Sequence, residues 1–335
     1  MPEFGFPAQP RYASMSRLIA DLRSRSDDTR VEAVTGRFRD VTSVRRGNVD
    51  EIMQLEKSIA DLNTFAESIA LSETRASIMQ ANLGTAVDIA QNAADTSILV
   101  LSNETEIAAE VFSDRARDDL NALVSNFNAN FAGRALFAGD DAGTVALADA
   151  ETIFTTSVAI LEAAPTAAAG YADLQNEFFG AGGAFETMFY QGGAGRAPLT
   201  EIAEGQRVDY GVKADEDAIR SALFNTIVFA AAYDRSNTIP DDERRALLQH
   251  GSDGMRGAIT EMIDVRSRLG TAEARIADVK SRNVAAEAAF TLRFNELAGA
   301  DTFEAALTLT ELDTQLQTAY QTTARLSNLS LANYI

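Results

Sequence analysis

From Ala258 onward the positions Met262, Val265, Leu269, Ala272, Ile276, Val279, Asn283, Ala286 and Phe290 recur at alternating spacings of four and three. That average of 3.5 keeps one narrow apolar stripe turned toward a partner helix, where a helix buried in a globular core drifts to 3.6 and a broader stripe. The stretch therefore demands a long neighbour and rules out a small compact fold. Asn283 lies on the stripe, and two readings stand for it: a polar register-fixing position, or a solvent-facing residue where the stripe has drifted. After Leu297 the pattern breaks at Ala298-Gly299-Ala300, and Asp301 with Glu304 signals a new helix. A second stripe follows through Ala305, Leu309, Leu312, Leu316, Ala319, Thr323 and Leu326.

The partner stripe is in the first third of the chain. Ile52, Leu55, Ile59, Leu62, Ala66, Ile69, Glu73, Ala76, Gln80, Leu83, Val87 and Ala90 alternate in the same threes and fours. A continuous helix over 49–98 would be roughly 75 Å long. Glu73 and Gln80 thin the stripe, and Gly84 costs about 1 kcal/mol against Ala, so a bend is expected there. A third helix is expected after Asn103, with Ile107, Val111, Ala116, Leu120, Leu123, Phe127 and Phe131 inward. The reading is mainly α: a long antiparallel coiled coil or helical bundle built from both chain ends, with a small α+β insertion in the middle. The bundle seam is expected at Ile52, Leu55, Ile59, Leu62, Leu83, Val87, Met262, Val265, Leu269, Ile276, Val279, Asn283 and Phe290.

The expected divisions are an N-terminal arm and loop (1–48), the first half of the helical core (49–139), an exposed insertion (140–250), the second half of the core (251–299) and a C-terminal helix (300–335). Pro2, Pro7 and Pro10 predict an extended start, and a helix over about 12–25 carries Met15, Ile19 and Leu22 on one face. Within 140–250, glycines at 180, 182, 183, 192, 193 and 195, with 185–190 and 207–212, suggest short strands and turns. Helices are expected at 153–163 and 216–233.

The 335 residues carry 29 basic against 49 acidic side chains, a net charge of −20. This argues against a nucleic-acid or anionic-membrane surface. Residues 1–46 differ, with nine arginines against six acids. They suit either an acidic partner or a solvated face with local ion pairs. Cysteine is absent, which removes disulfides, thiolate catalysis and cysteine-based zinc sites. No apolar run approaches a membrane span, and the first ten residues lack a secretory signal pattern.

Arg268-Leu269-Gly270, Arg275, Ile276, Asn283, Ala300-Asp301 and the closing TTARLSNLSLANYI resemble the C-terminal region of the bacterial flagellin and hook-filament junction protein family. Thr35-Gly36-Arg37 also matches, although the family's following acid-acid-Pro-Ala is replaced here by Val41 to Asn48. Gly133-Arg134-Ala135-Leu136-Phe137-Ala138-Gly139 and the final Leu-Ala-Asn-Tyr-Ile are closer to the junction proteins (hook-associated protein 3) than to filament flagellin. The resemblance implies a structural subunit joining hook to filament, exported unfolded through the flagellar type III channel without a cleaved signal and resident outside the cell. It implies as partners copies of the same chain, neighbouring hook-associated protein and flagellin subunits, and an export chaperone. It further implies an assembly interface at the chain ends: Met15, Ile19, Leu22, Leu309, Leu312, Leu316, Leu326, Leu329 and Tyr334.

No enzyme is expected. His250 has no second His or Cys to join, and the Asp140-Asp141, Asp241-Asp242 and Asp215-Glu216-Asp217 groups lack calcium-loop spacing. No catalytic, cofactor or metal site is therefore assigned. Two alternatives stay open: filament flagellin itself, and a soluble coiled-coil signalling or adaptor protein, which would want its long helices joined by a short hairpin tip.

Overall fold

The computed structural model describes residues 8–39, 49–103, 106–195, 199–234 and 239–332. The helices are α1 (Ala8–Thr35), α2 (Val49–Asn103), α3 (Glu106–Phe127), α4 (Ala150–Ala163), α5 (Ala167–Phe179), α6 (Asp217–Ala232), α7 (Asp241–Ala298) and α8 (Thr302–Ala332). Two antiparallel hairpins pair β1 (Asn130–Phe131) with β2 (Arg134–Ala135) and β3 (Thr200–Ala203) with β4 (Gln206–Val208). The chain is thus mainly α with a small strand-containing middle. Its contacts divide it into one unit of Met1–Asn63 with Asn283–Ile335 and another of Thr64–Arg282. That division falls inside α2 and α7, whereas the sequence reading placed boundaries near 139 and 250.

Within the larger unit α2 and α7 run antiparallel. Ser97 Oγ donates to Ser252 Oγ at 2.9 Å at one end, and Lys280 Nζ reaches Glu73 at 2.7 Å at the other. Leu83, Val87, Met262, Val265, Leu269, Ile276 and Val279 are all buried between these landmarks, and Ile69 is buried one turn beyond Glu73. Ala76, Ala86, Ala90, Ala93 and Ala94 are buried on α2, and such thin side chains let helices approach closely. In the smaller unit the same two helices meet again, with Ile52, Phe294, Leu297 and Ala298 buried together and Leu55 and Ile59 packed against them. Leu62, Asn283 and Phe290 are half-buried there. The helix continues through Gly84, which lies beside the Arg266 guanidinium.

The middle of the chain is not an exposed appendage. Helix α6 has the sequence DAIRSALFNTIVFAAA, apolar on nearly every face, and all but three of its 16 residues are buried. An all-round apolar helix belongs at the centre of a core. From α3, Phe112 meets Phe229 edge-on at 5.2 Å, and Ser113 Oγ donates to the Phe229 carbonyl while accepting from the Tyr233 N–H. From α5, Phe178 and Tyr171 pack edge-on against Phe224 at 5.5 and 5.2 Å. On α7, Gly251 and Gly254 face the Phe229 ring and the Asn225 side chain so closely that a Cβ would overlap both.

Several local expectations are corrected. Helix α1 already includes residues 8–10, because Pro10 sits in the first turn, where its missing N–H would have had no partner. Helix α3 buries Ala109, Phe112, Ala116, Leu120, Leu123 and Phe127 and leaves Ile107 and Val111 exposed at 77% and 61%. The five-residue step from Val111 to Ala116 turns about 140° round the helix, so both cannot share one face. Phe131 lies on β1 and is half-buried. Phe185–Phe189 is a π-helical turn rather than a strand, and it brings both phenylalanines onto Phe178 at 5.4 and 5.6 Å. Helix α5 had no counterpart in the sequence reading.

The Gly133 to Gly139 stretch anchors the middle of the chain to the core. Ala132 and Gly133, at φ 52° and 74°, form the two-residue turn of the first hairpin, in the left-handed conformations such turns require. Leu136 and Phe137 then bury themselves, with Phe137 edge-on to Phe127 at 5.3 Å.

Candidate assembly surface of the terminal helices

Helices α1 and α8 lie antiparallel in the smaller unit. Leu22, Leu312 and Ala319 are buried against each other at 5%, 2% and 7% exposure, with Ile19 and Leu316 packed beside them. Ser26 Oγ donates to Asp313 at 3.2 Å, and the Arg23 guanidinium lies 5.4 Å from the centre of the Tyr320 ring. At the other end of the pair Arg37 bridges to Gly299, the Phe38 N–H donates to the Ala298 carbonyl and the Ala300 N–H to that of Gly36. Gly36 adopts φ 67° to make this corner. Asp301 caps α8 by accepting from the N–H groups of Phe303 and Glu304 at 2.9 and 3.2 Å.

Of the residues assigned to an assembly interface, Ile19, Leu22, Leu312 and Leu316 hold α1 and α8 to each other. Met15 and Leu309 are half-buried. Leu326, Leu329 and Tyr334 lie outside the residues whose side chains are described. Among the described side chains of α1 and α8, the exposed large apolar groups are different ones: Leu18, Val31, Val34, Phe303, Leu307 and Tyr320, at 48%, 38%, 81%, 73%, 58% and 40%. Phe303 and Leu307 stand two residues either side of Ala305, so each is about 160° round the helix from the buried stripe. Their signal in the sequence is a second apolar stripe on a helix already provided with one.

Part of the arginine-rich start is engaged locally. Arg39 pairs with Asp28 at 3.0 Å, Arg30 with Asp27 at 3.8 Å, and Arg37 donates to Asn295 while lying over the Phe294 ring. Arg45 and Arg46 fall outside the described residues. His250 is exposed and stacks on Tyr171 at 5.1 Å. Among the described residues no group of three or more His, Cys, Asp or Glu is arranged to hold a metal ion, and no helix is long and apolar enough to cross a membrane. Asp215 pairs with Lys213 at 2.8 Å and Glu216 with Arg268, so two of the three clustered acids have cationic partners.

Residues 253–335 match the family model described as the bacterial flagellin C-terminal helical region. No curated protein matches the chain by sequence. Among solved structures, a putative flagellar hook-associated protein from Vibrio parahaemolyticus is similar in fold, with a TM-score of 0.52 at 11% identity over 73% of this chain and 95% of the other. FlgL of Bacillus cereus aligns at a TM-score of 0.47 and 14% identity over 71% of this chain and 98% of the other.

Proposed function

We propose that this chain, whose residues 253–335 are of the bacterial flagellin C-terminal type, is a structural subunit of the bacterial flagellum. The observation that carries the reading is that family match. It covers most of α7 and all of α8, and in the smaller unit the end of α7 packs on α2 while α8 pairs with α1. The role is mechanical rather than enzymatic. Leu22 and Leu312 close each subunit's own helix pair, while Phe303, Leu307 and Val34 on its outside pack against neighbouring subunits, whether copies of this chain or adjoining hook-associated and flagellin subunits. The terminal Leu-Ala-Asn-Tyr-Ile and the Gly133 to Gly139 string favour the hook-filament junction over the filament. Export without a cleaved signal, with a chaperone holding the chain beforehand, belongs to the same reading.

A coiled-coil adaptor is disfavoured because α2 and α7 are joined through four core helices and two hairpins, not through a short tip. Electron microscopy of a deletion strain tests the assignment. Cells that keep hooks but shed unassembled flagellin support the junction role. Cells that lose filament mass and keep their junctions identify a flagellin, and cells with normal flagella overturn the flagellar reading.

A further inference from the structure

In the larger unit a partly enclosed pocket of about 100 Å³ lies between α2 and the two hairpins, lined by Arg75, Met79, Arg134, Leu136, Thr200 and Tyr210 among others. Two arginines therefore border one small space in a chain whose net charge is −20. Among the described residues neither has an ion pair, although 49 acidic residues compete for 29 basic ones. The Nε of Arg75 is buried and has no hydrogen-bond partner. A buried donor left unmet costs stability, and such orphans call for an explanation such as an ion. The space holds about three waters at ~30 Å³ each, far below the 300 Å³ and upward of a drug-sized or cofactor site. A paired guanidinium fork fits planar or tetrahedral oxyanions best.

We propose that this pocket binds a single oxyanion group, with Arg75 and Arg134 as its cationic walls. The chemistry is that of a carboxylate or phosphate, and two sources can supply it: a free small anion, or an Asp or Glu side chain of a second copy of this acidic chain. Arg134 is exposed on a hairpin, so replacing it leaves the fold intact; Arg75 is half-buried.

The test uses the full chain and inorganic phosphate. The Arg Nε–H resonances are followed by NMR during a phosphate titration at fixed ionic strength, with the Arg75 signal assigned by its loss in Arg75→Lys. A saturable shift of that signal, abolished in Arg134→Gln, is expected. A response indistinguishable from that to chloride, or one retained unchanged in Arg134→Gln, overturns the site. Sedimentation of the same samples separates the sources. Self-association that phosphate competes away and Arg134→Gln weakens points to a carboxylate from a second copy. Saturable binding at unchanged mass points to a free anion.

Discussion

Helical glycines carry opposite instructions that only the packing reveals. A Cβ on Gly170 would sit 2.5 Å from the Leu161 carbonyl oxygen and 3.1 Å from its Cα, because α4 and α5 touch through their backbones there. Neither backbone can yield cheaply, so Gly170→Ala is expected to cost about 1–3 kcal/mol in urea unfolding. Gly270 on α7 has nothing within 4 Å of such a Cβ. Gly270→Ala should therefore stabilise by up to about 1 kcal/mol through helix propensity alone. Both residues read identically in the sequence, since a clash is a property of the neighbour. Capping is more legible. Asp149 accepts from the Thr152 N–H and hydroxyl at 2.9 and 2.6 Å, and these bonds, the hydroxyl's first, hold its carboxyl below the usual range. A lowered folded pKa gives stability above the unfolded value, about 3.9, that is lost as pH falls through the folded value. The stability gap between wild type and Asp149→Ala should be present at neutral pH and shrink below about pH 4.

At the scale of elements, the stripes on α2, α7 and α8 were readable because their spacing is internal to each helix. What periodicity could not decide is which molecule covers a stripe. Ile19, Leu22, Leu312 and Leu316 looked like surfaces for neighbours, yet they close an intramolecular pair, and α1 has a matching narrow stripe only because α8 lies against it. Leu22→Ala and Leu312→Ala should each destabilise the pair by about 2–5 kcal/mol. Their coupling in a double-mutant cycle should reach about 0.5–3 kcal/mol. Amide exchange should quicken in α1 and α8 while the core around Phe229 stays protected. The all-round apolar character of α6 was visible in its letters and was overridden by the glycines around it. Phe229→Ala, which removes the ring that Phe112 and Gly251 pack on, is expected to cost about 3–5 kcal/mol by chemical unfolding.

At the scale of the whole molecule, the larger of its two units surrounds one central helix, α6, with elements from either side of it in sequence. Residues 140–250 read in the sequence as an exposed insertion. Their burial against α2, α3 and α7 means instead that replacing them with a short linker should abolish cooperative unfolding of the larger unit, followed by circular dichroism on heating. The family strings point to the proposed flagellar role without pointing to the surface proposed for it, because Phe303 and Leu307 stand out only once Ala305 and Leu312 are known to face α1. The central claim is that this outer face joins subunits. The direct measurement expresses Phe303→Asp with Leu307→Asp as the sole copy in cells and quantifies the chain in purified flagella. Both side chains are exposed, so each change should alter stability by no more than about 0.5 kcal/mol. The account predicts a variant that melts like wild type and is absent from the flagella. Incorporation at the wild-type level would contradict it.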